Sequence, residues 1–377
     1  MSKVIIIGGG IAGLTTALAL QQKKIAYEVY EAVPEIKTVG AGISLAGNAM
    51  RVLHQLGVGQ EVIQRGHLIY SMTITDAAGK EISVMDARKL SLQYGLDNVA
   101  IHRAELHAAL LKPIPPQRIF TNKKAIGFKQ DQEGVVVSFD DGTEARGSVA
   151  IVADGIHSAI RKQLVPDSMP RYSGYTCWRG VVPNLWNLSN HAVELWGAAG
   201  RFGYVPIGNN QVYWFACKNA PVRSAIMQRY SVADVCENFK QYAEPVPQII
   251  AATAARDLIW SDIADLKPIK RFAYDNIVLI GDAGHATTPN LGQGACMAME
   301  DAQAIADALS RNGVGAKALH EFEQTRVSRA HYIVNTSYRL GRVAQWENPV
   351  LIRMRNAMMR LTPAWVSEQQ VRKVLNV

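Results

Sequence analysis

Residues 4–7 are an unbroken apolar run, Val4-Ile5-Ile6-Ile7, followed by a cluster of glycines, a helical-period segment over 11–22 and a second strand-like run over 27–31. A continuous apolar run predicts a strand buried on both faces of a parallel sheet. The three segments together predict the opening of a β-α-β unit. Two later segments share this design: 149–153 runs into Asp154-Gly155, and 276–280 runs into Gly281-Asp282. Ligands of open α/β sheets bind outside the carboxyl ends of the strands. Three such ends, far apart in the sequence, predict one extended ligand held by one discontinuous domain. A secretory leader is the rival reading of 4–20, but three consecutive glycines, Gly8 to Gly10, sit badly in a leader core and only Lys3 precedes it.

Elsewhere the period changes. Residues 70–86 alternate around Ala77-Ala78-Gly79, and 193–217 hold short runs around Gly208-Asn209-Asn210. Alternation with tight turns predicts antiparallel sheet. The expected fold class is α/β, a Rossmann-like domain with an inserted antiparallel-sheet substrate domain and C-terminal helices. The first domain takes residues 1–70, 96–170 and 269–320, the inserted domain 71–95 and 171–268, and a helical tail 321–377.

Leu351, Met354, Met358 and Leu361 recur at helical spacing in the tail, interleaved with Arg353, Arg355 and Arg360. This predicts an amphipathic basic helix. The favoured reading packs the apolar stripe across the two domains with the arginines solvated. Contact with an anionic membrane surface is the alternative.

The 377 residues exceed one compact core and suit two domains plus a tail. The net charge is +8, but residues 338–377 account for +5, with seven Lys/Arg against two Asp/Glu. The basic charge is therefore local and lacks interleaved aromatics, so no nucleic-acid partner is expected. Cys177, Cys217, Cys236 and Cys296 form no CxxC pair. Neither a metal site nor a redox dithiol is indicated, and a cytoplasmic setting is expected.

Gly8-Gly9-Gly10-Ile11-Ala12-Gly13 is a GxGxxG between a strand and a helix. There the first glycine permits the turn, the second lets a pyrophosphate approach the backbone, and the third lets helix and strand pack. Free N–H groups and the helix dipole then favour the phosphates. Glu31, 18 residues after Gly13, is placed to accept ribose hydroxyls. The chain also carries DGxxSxxR from Asp154 to Arg161, GDxxHxxxPxxGxG from Gly281 to Gly294, and Arg103 in His102-Arg103-Ala104-Glu105-Leu106. This ordered set resembles the class A flavoprotein monooxygenases, the para-hydroxybenzoate hydroxylase family, over roughly residues 1–340. The segments 29–47 and 281–302 resemble most the urate hydroxylase and zeaxanthin epoxidase branch.

The resemblance implies FAD as cofactor and NADH or NADPH as transient reductant. It places Gly8, Gly10, Ala12 and Gly13 at the pyrophosphate, and Glu31 and Ala32 at the adenosine. It places Arg103 near the flavin chain and phosphates and Asp282 at a ribityl hydroxyl, and Asp154 and Arg161 belong to a motif that the family uses for both FAD and nicotinamide contact; Ser44 and Ala125 are further cofactor-binding positions. Pro289, Gly292, Gln293, Gly294 and Ala295 lie against the flavin. A helix starting near Gly294 would stabilise the anionic reduced ring. Reduced flavin and O2 would give a 4a-hydroperoxide that hydroxylates a small planar aromatic or heteroaromatic substrate. Epoxidation of an olefin, or an oxidase releasing hydrogen peroxide, are the alternatives. Monomer and homodimer both remain open.

Arg201 and Tyr213 fall where the urate hydroxylases carry their substrate Arg and Tyr, and are the catalytic candidates; a surface ion pair and a half-buried sheet tyrosine are the bland alternatives. Trp178, Phe202 and Trp214 either wall a pocket or fill a core. Where the urate enzymes have an acidic residue after the proline of the flavin loop, this chain has Asn290. His285 is expected to pack at a helix start rather than act chemically.

Overall fold

The computed structural model describes residues 3–35, 41–95 and 97–375; part of the 29–47 segment compared above therefore lies outside the described residues. The Val4–Ile7 strand pairs in parallel with Tyr27–Tyr30 on one side and Val149–Val152 on the other, and Val149–Val152 pairs in parallel with Ile277–Leu279. The apolar runs thus form the centre of one six-stranded sheet. All four residues of Val4–Ile7 and of Val149–Val152 are buried, as expected for strands covered on both faces. The Ile11–Gln22 helix and the 19-residue Gly294–Asn312 helix pack on each other against this sheet. The loops after three of its strands therefore open at one edge.

The inserted sheet has seven strands in the order Ile259–Leu266, Pro170–Pro183, Gln211–Asn219, Gly200–Ile207, His191–Gly197, Ser71–Asp76, Glu81–Asp86. It is not wholly antiparallel: His191–Gly197 runs parallel to Ser71–Asp76. The long connection through the first domain brings the 71–86 hairpin in from the edge, so its direction is not set by a tight turn. A three-stranded antiparallel ribbon over 125–147 and a small sheet of Gly42–Leu45, Val99–His102 and His67–Leu68 complete the strands described.

The two faces of the seven-stranded sheet differ. Trp178, Phe202 and Trp214 point to the face covered by the Val232–Phe239 and Val246–Ala251 helices and are fully buried there. They are core, the second of the two readings given for them above. Strand alternation puts Cys177, Arg179, Tyr213, Phe215, Cys217 and Arg201 on the other face, which meets the first domain.

The tail helices are integrated. The Ala316–Ala344 helix crosses the boundary expected at 320/321, and its Arg326 bonds Asp301 and the Met297 carbonyl. Pro349–Leu361 is a helix as expected, but it is rotated from the favoured reading. Leu351, Met354, Met358 and Leu361 face outward, Leu361 with 82% exposure. Arg355 is buried instead; it donates to the Val343 and Ala344 carbonyls and lies 5.0 Å over the Trp196 ring. Those carbonyls end a helix and need donors, which an apolar side chain at 355 would not provide. Among the described residues no helix is long and apolar enough to cross a membrane.

Candidate active site

The glycine turn shows which glycines the fold demands. A Cβ on Gly8, at φ +102°, would lie 2.5 Å from the Ala153 carbonyl oxygen, and one on Gly13 would lie 1.9 Å from that of Gly8. These two are required by backbone packing. A Cβ on Gly10 would meet nothing within 4 Å, so Gly10 borders open space at the helix start. Ala12 packs on the other side, 3.0 Å from the Cβ position of Gly281. Glu31 accepts from the Gly9 amide at 2.5 Å and the Val33 amide at 3.1 Å, so its carboxylate already shapes the turn. Ala32 is exposed beside it. Buried His107 bonds the Gly9 carbonyl at 2.8 Å and fixes the same turn.

The second strand end is tied to the third by Arg161. This arginine is buried, and its guanidinium donates to the carbonyls of Gly155, Ile156 and Ala283. Its role in the described chain is to hold two loops together. Asp154 lies above it. Burial raises its carboxyl to about 6 against the opposing pull of Ser158, Arg161 and nearby amides, and its Oδ1 is buried without a hydrogen-bond partner. A buried acceptor without a partner is costly and suits a hydroxyl or N–H donor from a ligand.

At the third strand end, Gly281 takes φ +53° and donates its amide to Asp301 at 3.0 Å. Asp282 touches solvent, yet the surrounding protein pushes its carboxyl up; His285 and Arg103 offset this in part. Arg103, exposed at the start of the Arg103–Leu111 helix, is thus brought near Asp282 although 179 positions separate them. His285 is buried and bonds Asp301 at 2.5 Å, and Asp301 also accepts from Arg326 at 2.7 Å. His285 is structural, as expected.

Pro289–Leu291 is a short 3-10 turn, Gly292 is left-handed at φ +62°, and the long helix begins at Gly294. A Cβ on Gly292 would meet nothing, and one on Gly294 only the Thr287 methyl at 3.7 Å. Gln293 turns inward and accepts from Asn48 at 2.9 Å, while Ala295 is half-buried. Ser44 is exposed mid-strand in Gly42–Leu45, and Ala125 is buried at the start of its ribbon strand. The residues fit FAD: open space at Gly10 where the first helix begins, a partnerless buried carboxylate oxygen on Asp154, and a glycine-lined helix start at Gly294 all follow the carboxyl ends of strands of one sheet.

The seven-stranded sheet supplies the opposite wall. Arg201 is 3% exposed and fully engaged with Gln345 at 2.9 Å, Glu194 at 3.2 Å and Asn290 at 2.8 Å. Neither a surface ion pair nor an open substrate arginine describes it. Asn290 is saturated: its oxygen accepts from Arg201 and, at 3.1 Å, from Tyr175, and its nitrogen donates to Thr288 Oγ1 and the Ser337 carbonyl at 2.8 and 2.9 Å. A carboxylate there would set an oxygen against the Ser337 carbonyl, so the position is built for an amide. Tyr213 is half-buried and lies against Gly42, where a Cβ would come within 2.4 Å of it. Burial raises its phenol well above the ordinary value, with Arg179 opposing.

This fold and cleft define a flavin-dependent oxidoreductase of two-domain type. Residues 1–337 match the model of the FAD binding domain family, and the chain belongs to that family as an FAD-dependent monooxygenase. It is 38% identical over 359 residues to the aurachin C monooxygenase/isomerase of Stigmatella aurantiaca, covering 95% of this chain and 94% of that protein. The 2-heptyl-3-hydroxy-4(1H)-quinolone synthase of Pseudomonas aeruginosa is 32% identical over 365 residues, covering 96% and 94%. Klebsiella pneumoniae HpxO complexed with FAD and uric acid superposes with a TM-score of 0.93 at 29% identity, covering 100% of this chain and 97% of that one.

Proposed function

We propose that this enzyme uses NADH or NADPH and O2 to insert one oxygen atom into a small planar heteroaromatic ring of the quinolone type. The observation that carries this reading is the face of the seven-stranded sheet that meets the first domain, where half-buried Tyr213 and Phe215 offer flat apolar surface beside Arg179. Bound FAD, once reduced, would supply an electrophilic oxygen derived from O2. The chain's own residues do the rest. Gly10, Glu31, Arg103, Asp154 and Asp282 would hold the cofactor across the three strand ends. The Gly294 helix start would face its ring, where a helix dipole favours negative charge.

Tyr213, held neutral by burial, hydrogen-bonds a substrate hydroxyl or ring nitrogen and orients it. The saturated amide of Asn290 argues against urate, and two relatives with about a third or more of their residues in common carry quinolone or aurachin chemistry in their names. Screening NADH and NADPH oxidation against simple phenols, purines and 4-hydroxyquinolines tests this. The quinolines should stimulate oxidation most and yield a product heavier by one oxygen. Stimulation by urate alone contradicts the substrate class, and hydrogen peroxide as the sole product makes the enzyme an oxidase.

A further inference from the structure

The register of the seven-stranded sheet lays its cleft-facing residues out as a lattice. One row runs Ser261, Cys177, Cys217, Arg201; the next runs Arg179, Phe215, Gly203, Glu194; the third runs Val181, Tyr213, Val205. The first row is anchored to the flavin loop, because Arg201 bonds Asn290. The third row is anchored to the strand that carries Ser44, because Tyr213 lies against Gly42. The middle row therefore lies under the centre of the cleft.

Two features of that row make a ring site. Gly203 has no side chain, and the Phe215 ring occupies the vacated place: a Cβ at 203 would come within 2.2 Å of it. Phe215 thus lies low over the sheet as a half-buried platform, suited to stacking a planar ring. At its end stands Arg179, directly opposite Phe215 in the register. Arg179 donates to Ser261 Oγ at 3.1 Å, with Tyr213 and Cys177 as its other neighbours, and among the described residues no carboxylate pairs with it. Arg201, by contrast, is closed off by Glu194, Gln345 and Asn290.

We propose that Arg179, not Arg201, is the cation that binds substrate: a planar ring stacks on Phe215 and sets an anionic or carbonyl oxygen against the Arg179 guanidinium. The enzyme then selects rings bearing an oxyanion or a vinylogous-amide carbonyl, because only these accept a charge-assisted hydrogen bond there. Arg201 becomes a positioning residue that fixes Asn290 and hence the flavin loop. This assignment rests on the functional reading above and names the group that enforces its substrate class.

The test uses FAD-loaded enzyme and two probes, 4-hydroxyquinoline and 4-methoxyquinoline, with binding read from perturbation of the flavin absorbance. The wild type should prefer the hydroxy compound, whose quinolone tautomer offers the carbonyl, by about tenfold to a hundredfold, the worth of one charged hydrogen bond. Arg179→Gln should bring the two within about threefold of each other by weakening only the hydroxy compound, with FAD content unchanged. Arg179→Lys should restore part of the preference, which a merely structural role would not predict. An unchanged preference in Arg179→Gln, or its collapse in Arg201→Gln instead, overturns the assignment. If neither probe perturbs the wild-type flavin, the stacking site is wrong. The functional reading fails separately, if no quinoline gains oxygen in the turnover screen.

Discussion

Asp301→Asn strikes the connection between the Gly281 strand end and the helix that starts at Gly294. Asp301 is fully buried and accepts from the Gly281 amide at 3.0 Å, His285 at 2.5 Å and Arg326 at 2.7 Å. Burial by itself would raise its carboxyl, but His285 and Arg326 outweigh burial and hold it at about 2, below the ordinary 3.8. A folded value below the unfolded one means stability that is present above pH 3.8 and lost as pH falls toward 2. A depression of that size corresponds to about 2–3 kcal/mol at neutral pH. Removing one charge of a buried network costs about 3–5 kcal/mol. Asn keeps one acceptor, and Arg326 retains Glu300 at 2.8 Å, so a loss near 3 kcal/mol is expected.

The loss has a functional signature, because Asp301 belongs to the helix that starts at Gly294 and grips the strand end that precedes Asp282. Thermal denaturation of the apoprotein should show a lower midpoint, and desalting of the holoprotein should strip FAD that the wild type retains. The wild type's advantage over Asp301→Asn should shrink as pH falls from about 4 toward 2. A variant that melts with the wild type and stays yellow would refute the reasoning.

Asp154 should behave with the opposite sign. Its folded value near 6 exceeds the unfolded 3.8, so the apoprotein should lose up to about 3 kcal/mol as pH rises from about 4 through 6; Asp154→Asn should remove that slope in pH-dependent melting, and an identical slope in both proteins refutes it. Arg201→Ala leaves Glu194 buried without its cation, so it should lower stability by about 3–5 kcal/mol and raise hydrogen peroxide release per turnover while FAD content holds. A colourless variant would move Arg201 to the cofactor site. On the Pro349–Leu361 helix, Arg355→Ala should cost about 2–3 kcal/mol through unsatisfied carbonyls, whereas Met358→Glu should stay within about 0.5 kcal/mol; urea titration that ranks them in reverse contradicts the rotation seen here.

Much of the cofactor side is legible in the sequence because it depends on local chemistry. Gly8 and Gly13 are forced by backbone contact, and unbroken apolar strands at 4–7, 149–152 and 277–279 have one stable home in a parallel sheet. The substrate side is less legible because it depends on register. Nothing near Arg201 in sequence reveals that Asn290 and Gln345 close around it, 89 and 144 positions away. Nor does the sequence around Arg179 show that Gly203 clears a place for Phe215. The rotation of Pro349–Leu361 was hidden for the same reason: its apolar spacing suggests a buried stripe, but the helix end at 343–344 and the Trp196 ring favour the arginine.

The central claim is oxygen transfer by FAD lying across three strand ends, and isotope labelling tests it most directly. Turnover of the FAD-loaded enzyme with NADH or NADPH and 4-hydroxyquinoline under ¹⁸O2 should give a product carrying one ¹⁸O atom. A product labelled from H2¹⁸O in place of ¹⁸O2, or nicotinamide oxidation that yields labelled hydrogen peroxide alone, would contradict it.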